Sequence, residues 1–157
     1  WGETQVLLGG DLLCQRGSHE GWSRAASSVK GHVQVVKAAH HASEEAQDWD
    51  LWRRMAPKLA IITPFKEAAE SYPPQPDILR QLAAVTSLAI TSPPRWVPSG
   101  QRPQPRRVAP QPPSLGRNSA LAITAAPAPR DDAVGVSLDA SGAITHLILT
   151  GRADLYR

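Results

Sequence analysis

The chain has 157 residues, enough to bury a hydrophobic core without disulfide bonds. Hydrophobic residues make up 41% and charged residues 20%, a composition typical of soluble globular proteins and not of disordered or fibrous ones. Seventeen Lys and Arg against 14 Asp and Glu leave a net charge of +3, too small to favour nucleic-acid binding. The single cysteine, Cys14, excludes an internal disulfide, and apolar runs such as 59–62 are too short to span a bilayer. We therefore expect a cytoplasmic protein without a membrane span.

Residues 1–92 alternate between strand and helix patterns. Short apolar or β-branched runs predict strands at residues 5–10, 33–38, 59–63 and 87–91. Apolar residues at helical spacing predict helices at residues 20–30, at 43–55 and from Pro76 onward. Strands that alternate with helices in this way indicate an α/β layered fold.

The helix predicted at residues 43–55 has the clearest signals. Ser43 is the expected N-cap, and two glutamates follow it in the first turn, where they favour the helix dipole. Trp49, Trp52 and Met55 lie on one stripe and are expected to face the core. The helix should end before Pro57.

Composition changes after residue 92. Ten of the 15 prolines lie between Pro93 and Pro129, and six arginines but no acidic residue lie between residues 91 and 130. Residues 93–118 are therefore predicted to be a Pro/Arg-rich loop or linker. Residues 119–157 are predicted to close the same domain with strands at 120–124, 133–138 and 143–149. Asp139 to Gly142 predicts a hairpin turn, and the tail after residue 150 carries no motif.

Two short segments carry residues that could do chemistry. Gly9-Gly10-Asp11 follows the first predicted strand, and His40-His41 follows the second. Because ligand sites in α/β sheets form outside the carboxyl ends of strands, both segments could line one cleft. Carboxylate and imidazole are ligands that zinc, manganese and iron accept. Taken singly, the aspartate also fits a turn or cap residue, and the paired histidines also fit a structural helix start.

The ordered combination resembles the carboxyl-terminal half of a metallo-β-lactamase-fold hydrolase. Within that superfamily it is most similar to the hydrolase domains associated with ComEC-type competence proteins. Four segments carry the resemblance, in order: Val6-Leu7-Leu8-Gly9-Gly10-Asp11, Val35 to Ser43 with His40-His41-Ala42-Ser43, Pro57 to Thr63, and Tyr72 to Pro76. The resemblance implies that residues 1–92 form half of an αββα sandwich, with one of its two sheets. The last strands could form the hairpin that closes such a domain.

The resemblance also implies a site and a reaction. Asp11 would bridge two divalent metal ions, zinc first and manganese or iron as alternatives. One of His40 and His41, with His40 preferred, would bind the second metal, and Ser43 and Tyr72 would contact the substrate. A metal-activated hydroxide would then hydrolyse a phosphodiester or another ester.

Departures from the family pattern point to an incomplete site. The main motif, His-x-His-x-Asp-His or a variant, is absent, and His19, His32 and His146 are isolated. Ala42 replaces a glycine, and prolines replace a histidine-bearing loop at 73–76. We therefore expect this chain to be inactive alone and completed by an upstream half, which the non-Met start suggests, or by a partner chain. The alternative is a degenerate, non-catalytic binding or assembly module that uses the Pro/Arg-rich segment.

Overall fold

A computed structural model describes residues 4–14, 21, 24, 28–29, 32–65, 73–92, 122–125, 133–150 and 152–156. Most of the helix predicted at 20–30, the Pro/Arg-rich segment 93–118, His19 and Tyr72 lie outside these residues. Eight strands are described: β1 (Thr4–Leu8), β2 (His32–Lys37), β3 (Leu59–Ile62), β4 (Ser87–Ile90), β5 (Ala122–Ala125), β6 (Ala133–Leu138), β7 (Ile144–Thr150) and β8 (Asp154–Tyr156). Seven of them confirm predicted strands. The eighth, β8, was not predicted, because the tail shows no alternating pattern.

Five strands form one sheet in the order β1-β2-β3-β4-β8. The first four are parallel to their neighbours, and β8 adds an antiparallel strand beside β4. Since crossovers between parallel strands are almost always right-handed, a 1-2-3-4 order places the connecting helices on one face. The carboxyl ends of the four parallel strands then share one edge, which is where both candidate segments begin.

Two helices cover one face of this sheet: α1 (Trp49–Met55) and α2 (Pro76–Ala83). Leu51 and Trp52 of α1, and Ile78, Leu79 and Leu82 of α2, pack with buried residues of β2, β3 and β4. Trp49 and Met55 pack partly buried against the same core, so the predicted stripe is confirmed. None of the helices in the described ranges is long and apolar enough to cross a membrane.

The start predicted for α1 was wrong. The helix begins at Trp49, and its N-cap is Asp48, whose carboxylate accepts from the Leu51 amide at 2.9 Å. Two single 3₁₀ turns, Ala39–Ala42 and Glu44–Ala46, occupy the residues before it. Ser43 lies between the turns and makes no side-chain cap bond. α2, by contrast, begins at Pro76 as predicted, because a proline at the first helical position loses no hydrogen bond.

A second, three-stranded sheet in the order β5-β7-β6 covers the opposite face of the first. Ile144, Leu147 and Leu149 of β7 form a buried cluster with Val35, Leu59 and Ala89 of the larger sheet. The prediction of a single sheet closed by an edge hairpin was therefore wrong, although the α/β class is correct. The layers are helices, a five-stranded sheet and a three-stranded sheet.

The hairpin turn between β6 and β7 is confirmed. Asp139 Oδ1 accepts hydrogen bonds from the Ser141 amide, the Ser141 hydroxyl and the Ala143 amide at 2.6–3.0 Å. The Ser141 hydroxyl and then the Ala143 amide lower the pKa of Asp139, because both donate to the ionised form. The turn thus holds an aspartate as a carboxylate.

One extra residue in β2 allows that strand to serve both layers. Gln5 of β1 pairs with Val33, but the next residue, Val6, pairs with Val35, so Gln34 is a bulge. Val33 consequently packs with the helices, and Val35 packs with the second sheet. The Gln34 carbonyl accepts from the Lys58 amide at 3.1 Å, at the start of β3.

Replacing Ala56 with glycine is expected to stabilise the protein by about 0.5–1 kcal/mol. Ala56 is exposed and ends α1 with left-handed backbone angles (φ 39°, ψ 56°), which cost a residue with a Cβ about 1–2 kcal/mol. Part of this gain is offset by the greater freedom of glycine in the unfolded chain. Urea unfolding should give the difference. The control is Ala84→Gly, where the exposed cap of α2 is right-handed (φ −74°) and glycine should destabilise.

Candidate functional site

The loops that follow β1, β2 and β3 meet at the carboxyl edge of the larger sheet. The Gly9 amide donates to the Lys37 carbonyl at 3.0 Å, and the His40 amide donates to the Gly10 carbonyl at 2.8 Å. The Ala38 amide in turn donates to the Ile61 carbonyl at 2.9 Å. These bonds place the segments that bear Asp11 and His40-His41 side by side.

Gly9 makes this close approach possible. A Cβ at this position would lie 2.7 Å from the backbone N and Cα of Ala39, closer than non-bonded atoms can come. Gly10 has φ +55°, which glycine adopts without steric cost. Gly9 therefore leaves room for the backbone of Ala39, and Gly10 provides the left-handed turn that leads into Asp11.

The His-His turn is strained. His40, His41 and Ala42 have φ values of 43°, 56° and 59°, three successive residues in the left-handed region without a glycine. Each such residue costs roughly 1–2 kcal/mol, so the conformation persists only where surrounding contacts determine it. Ala42 is fully buried in the core, which is one such constraint. Strain of this kind concentrates at functional sites.

His41 is fixed in one tautomer by the backbone of β3. Its Nδ1 lies 2.6 Å from the Thr63 carbonyl oxygen. A carbonyl can only accept, so Nδ1 carries a proton, and in the neutral imidazole Nε2 is the nitrogen with the lone pair. The Thr63 hydroxyl lies 3.5 Å from the same nitrogen, and the Phe65 ring packs at 5.1 Å between centroids. Histidine ligands of metal ions are oriented by this kind of bond to a carbonyl.

His40 is held less completely. Its Nδ1 lies 3.0 Å from the Ser43 hydroxyl, which can either donate or accept, and its ring centroid lies 6.2 Å from that of His41. The Ser43 amide also donates to the His40 carbonyl at 2.9 Å. In this structure the Ser43 hydroxyl contacts His40 and can orient its ring, whereas the sequence predicted that Ser43 contacts the substrate.

Asp11 is exposed and adjoins the Gly10 carbonyl that accepts from His40. The donor types fit a divalent metal: one carboxylate and one imidazole with a free Nε2, joined by a second imidazole nearby. Their number does not complete a site, since within the described ranges no three His, Cys, Asp or Glu side chains are placed to hold a metal ion. Tyr72, the other predicted substrate contact, is outside the described residues.

Sequence reasoning missed three contributors to this edge. Thr63 and Phe65 follow β3, and their contact with His41 spans more than 20 residues of chain. Gln47 lies behind the turn, where its side chain is buried. Position after a strand end was a usable signal for Thr63, but nothing local marked Gln47. His146, on β7, is exposed and not part of this group.

The chain was compared with models of protein families, with curated proteins and with solved structures, and none of these comparisons gives a match. Its functional interpretation therefore depends on the residues at this edge. These residues offer a tautomerically fixed imidazole, a second imidazole and an exposed carboxylate on neighbouring loops.

Proposed function

We propose that the chain is part of a metal-dependent hydrolase of the metallo-β-lactamase type, acting on a phosphodiester or another ester. The observation that carries the proposal is the hydrogen bond from His41 Nδ1 to the Thr63 carbonyl. It leaves the His41 Nε2 available as a ligand, next to the loop that bears the exposed Asp11. An oriented imidazole beside a carboxylate suits zinc, manganese or iron.

Asp11 and His41 are the first ligands in this proposal, and His40 is the second imidazole. The sequence favoured His40 over His41, but of the two it is His41 whose Nδ1 donates to a backbone carbonyl, which fixes its tautomer. A catalytic zinc usually takes three protein ligands, so the remaining ligands come from outside the described residues, in the same polypeptide or on a partner chain.

A bound divalent metal supplies Lewis-acid polarisation of the ester and brings the pKa of a water molecule toward neutrality. The residues of this chain orient the groups that would bind the metal. Thr63 holds the proton on His41 Nδ1, Phe65 covers one side of the imidazole, and the Gly9-Gly10 turn sets the backbone that leads into Asp11.

His41→Asn in the full-length protein is the sharpest test of this proposal. Asparagine tolerates left-handed backbone angles, and its side-chain amide can still donate to Thr63, but it lacks the Nε2 ligand. After removal of bound metal, zinc titration by calorimetry should show an affinity at least roughly 10- to 100-fold below that of the wild type. That is the typical loss when a residue that only orients a metal ligand is removed, and the loss of a ligand should be no smaller. Asp11→Asn should also weaken binding.

Matched controls are His146→Asn, on the exposed face of β7, and Asp77→Asn, exposed in the first turn of α2. Neither should alter zinc affinity. If His41→Asn, like the His146→Asn control, binds zinc with the wild-type affinity, the metal proposal is wrong. The non-catalytic binding or assembly module would then be the better interpretation.

A further inference from the structure

A buried amide lies directly behind the His-His turn. Gln47 is 6% exposed and belongs to the short segment between the second 3₁₀ turn and α1. The Trp52 indole, itself 1% exposed, donates from Nε1 to Gln47 Oε1 at 2.9 Å. Gln47 Nε2 donates to the Ser43 carbonyl at 2.7 Å. A chain of hydrogen bonds thus runs from the helical core to the turn.

The donors and acceptors in this series of hydrogen bonds follow from the chemistry of the groups. An indole N–H can only donate, so the oxygen of the Gln47 amide must face Trp52. Its NH₂ group must then face Ser43, whose carbonyl can only accept. Both ends of the amide are satisfied without any charged group, as a buried polar side chain requires.

Ser43 is consequently held from both sides. Its carbonyl accepts from Gln47 Nε2 and from the Ala46 amide at 3.1 Å, and its own amide donates to the His40 carbonyl. From this fixed backbone its hydroxyl reaches His40 Nδ1 at 3.0 Å. Ser43 is also the first residue after the three left-handed ones.

The strained turn needs restraint at each end. At its start, the His40 amide is bonded to Gly10, and in its middle His41 is bonded to Thr63. At its end, the side-chain restraint is Gln47 acting on Ser43. Releasing that end would allow the turn to relax toward right-handed angles, which would swing both imidazoles.

We propose that Gln47, oriented by Trp52, is a positioning residue that holds the strained His40-His41 turn through the Ser43 carbonyl. The use of the imidazoles as metal ligands rests on the proposed function, but the positioning itself does not. Gln47 is too far back in the fold to be a ligand, since its amide is already engaged at both ends.

Gln47→Met in the full-length protein tests the role directly. Methionine keeps the length and flexibility of glutamine but removes both hydrogen bonds. The first readout needs no metal: the ¹H–¹⁵N imidazole spectrum at about pH 8.5, where histidine side chains are ordinarily neutral. Wild-type His41 should give the single Nδ1–H tautomer, and Gln47→Met should give a mixture. The second readout, zinc affinity, should weaken about 10-fold.

Two further variants distinguish the positioning role of Gln47 from a general contribution to stability. Ile78→Val trims a buried residue of α2 and should lower stability while leaving the His41 tautomer as in the wild type. Gln47→Met combined with Trp52→Phe removes both hydrogen-bonding partners together, so no buried N–H is left unpaired. This double variant guards against a misfolded single variant and should show the same tautomer mixture.

An unchanged His41 spectrum in both Gln47 variants would overturn the positioning role, whatever their stability. If Ile78→Val changes the His41 spectrum to the same extent as the Gln47 variants, the positioning role is overturned as well. The test is independent of the metal proposal: if the wild type binds no zinc but the tautomer shifts as expected, the positioning role stands and the hydrolase proposal fails. If zinc binding depends on His41 but the His41 spectrum is unchanged in both Gln47 variants, the metal proposal stands and the positioning role fails.

Discussion

Replacing Trp52 with alanine is expected to lower the free energy of unfolding by about 3–5 kcal/mol. The side chain is 1% exposed and, among the residues that the structure describes, is the largest fully buried one in the core beneath the helices. Its removal leaves a cavity and also deprives Gln47 Oε1 of its donor. Part of the loss therefore reflects a buried acceptor without a partner. Guanidinium unfolding, with the same slope for both proteins, measures the difference.

Trp49→Ala is the matched control for this result. Trp49 belongs to the same helix and is only partly buried against the same core, so its removal should cost clearly less. Equal losses for the two variants would show that the difference in burial between Trp49 and Trp52 does not determine the cost of removing them. Trp52→Phe should fall between them, since it keeps most of the apolar volume but not the indole N–H.

A methyl group at Gly9 is expected to destabilise the protein near the upper end of the ~1–3 kcal/mol range for overpacking. The added Cβ would lie 2.7 Å from backbone atoms of Ala39, and backbone cannot move aside as the end of a flexible side chain can. Relief requires that the loop after β1 separate from the His-His turn, which breaks the bond from His40 to Gly10. Chemical denaturation and the amide spectrum of residues 39–41 would report both effects.

Gly10→Ala distinguishes crowding from backbone strain. Apart from its chain neighbours, no atom of the described residues lies within 4 Å of a Cβ at Gly10, but its φ of +55° makes a side chain unfavourable, at about 1 kcal/mol. Its amide spectrum at residues 39–41 should stay close to that of the wild type. A larger disturbance of those residues by Gly10→Ala than by Gly9→Ala would refute the steric explanation.

The strand pattern was predictable because it depends on short apolar runs, and β1 to β4 fall where those runs lie. The start of α1 was not, because two candidate caps compete. Ser43 with two following glutamates is a good local cap, but its hydroxyl bonds to His40 and Asp48 caps the helix instead. β8 depends on pairing with β4, which no local pattern announces.

The candidate site divides in the same way. Residue type and position after a strand predicted Asp11 and the two histidines, and the parallel order of the strands brings them together. The tautomer of His41 depends on a carbonyl 22 residues away, and the strain in Ala42 depends on backbone angles that favour glycine. Neither the tautomer of His41 nor the backbone strain at Ala42 can be predicted from residue type.

The bulge at Gln34 determines how β2 can change in length. Residues after it are in register with β1 and β3 and lead directly into the His-His turn, whereas Val33 before it belongs to the helical layer. Deleting Gln34 would restore strict alternation and keep Val33 on the helical face, opposite to Val35, leaving the turn where it is. Deleting a residue after it would instead displace the histidines from Thr63. β2 can therefore lose its bulged residue without moving the His-His turn, but it cannot lose a residue between the bulge and the turn.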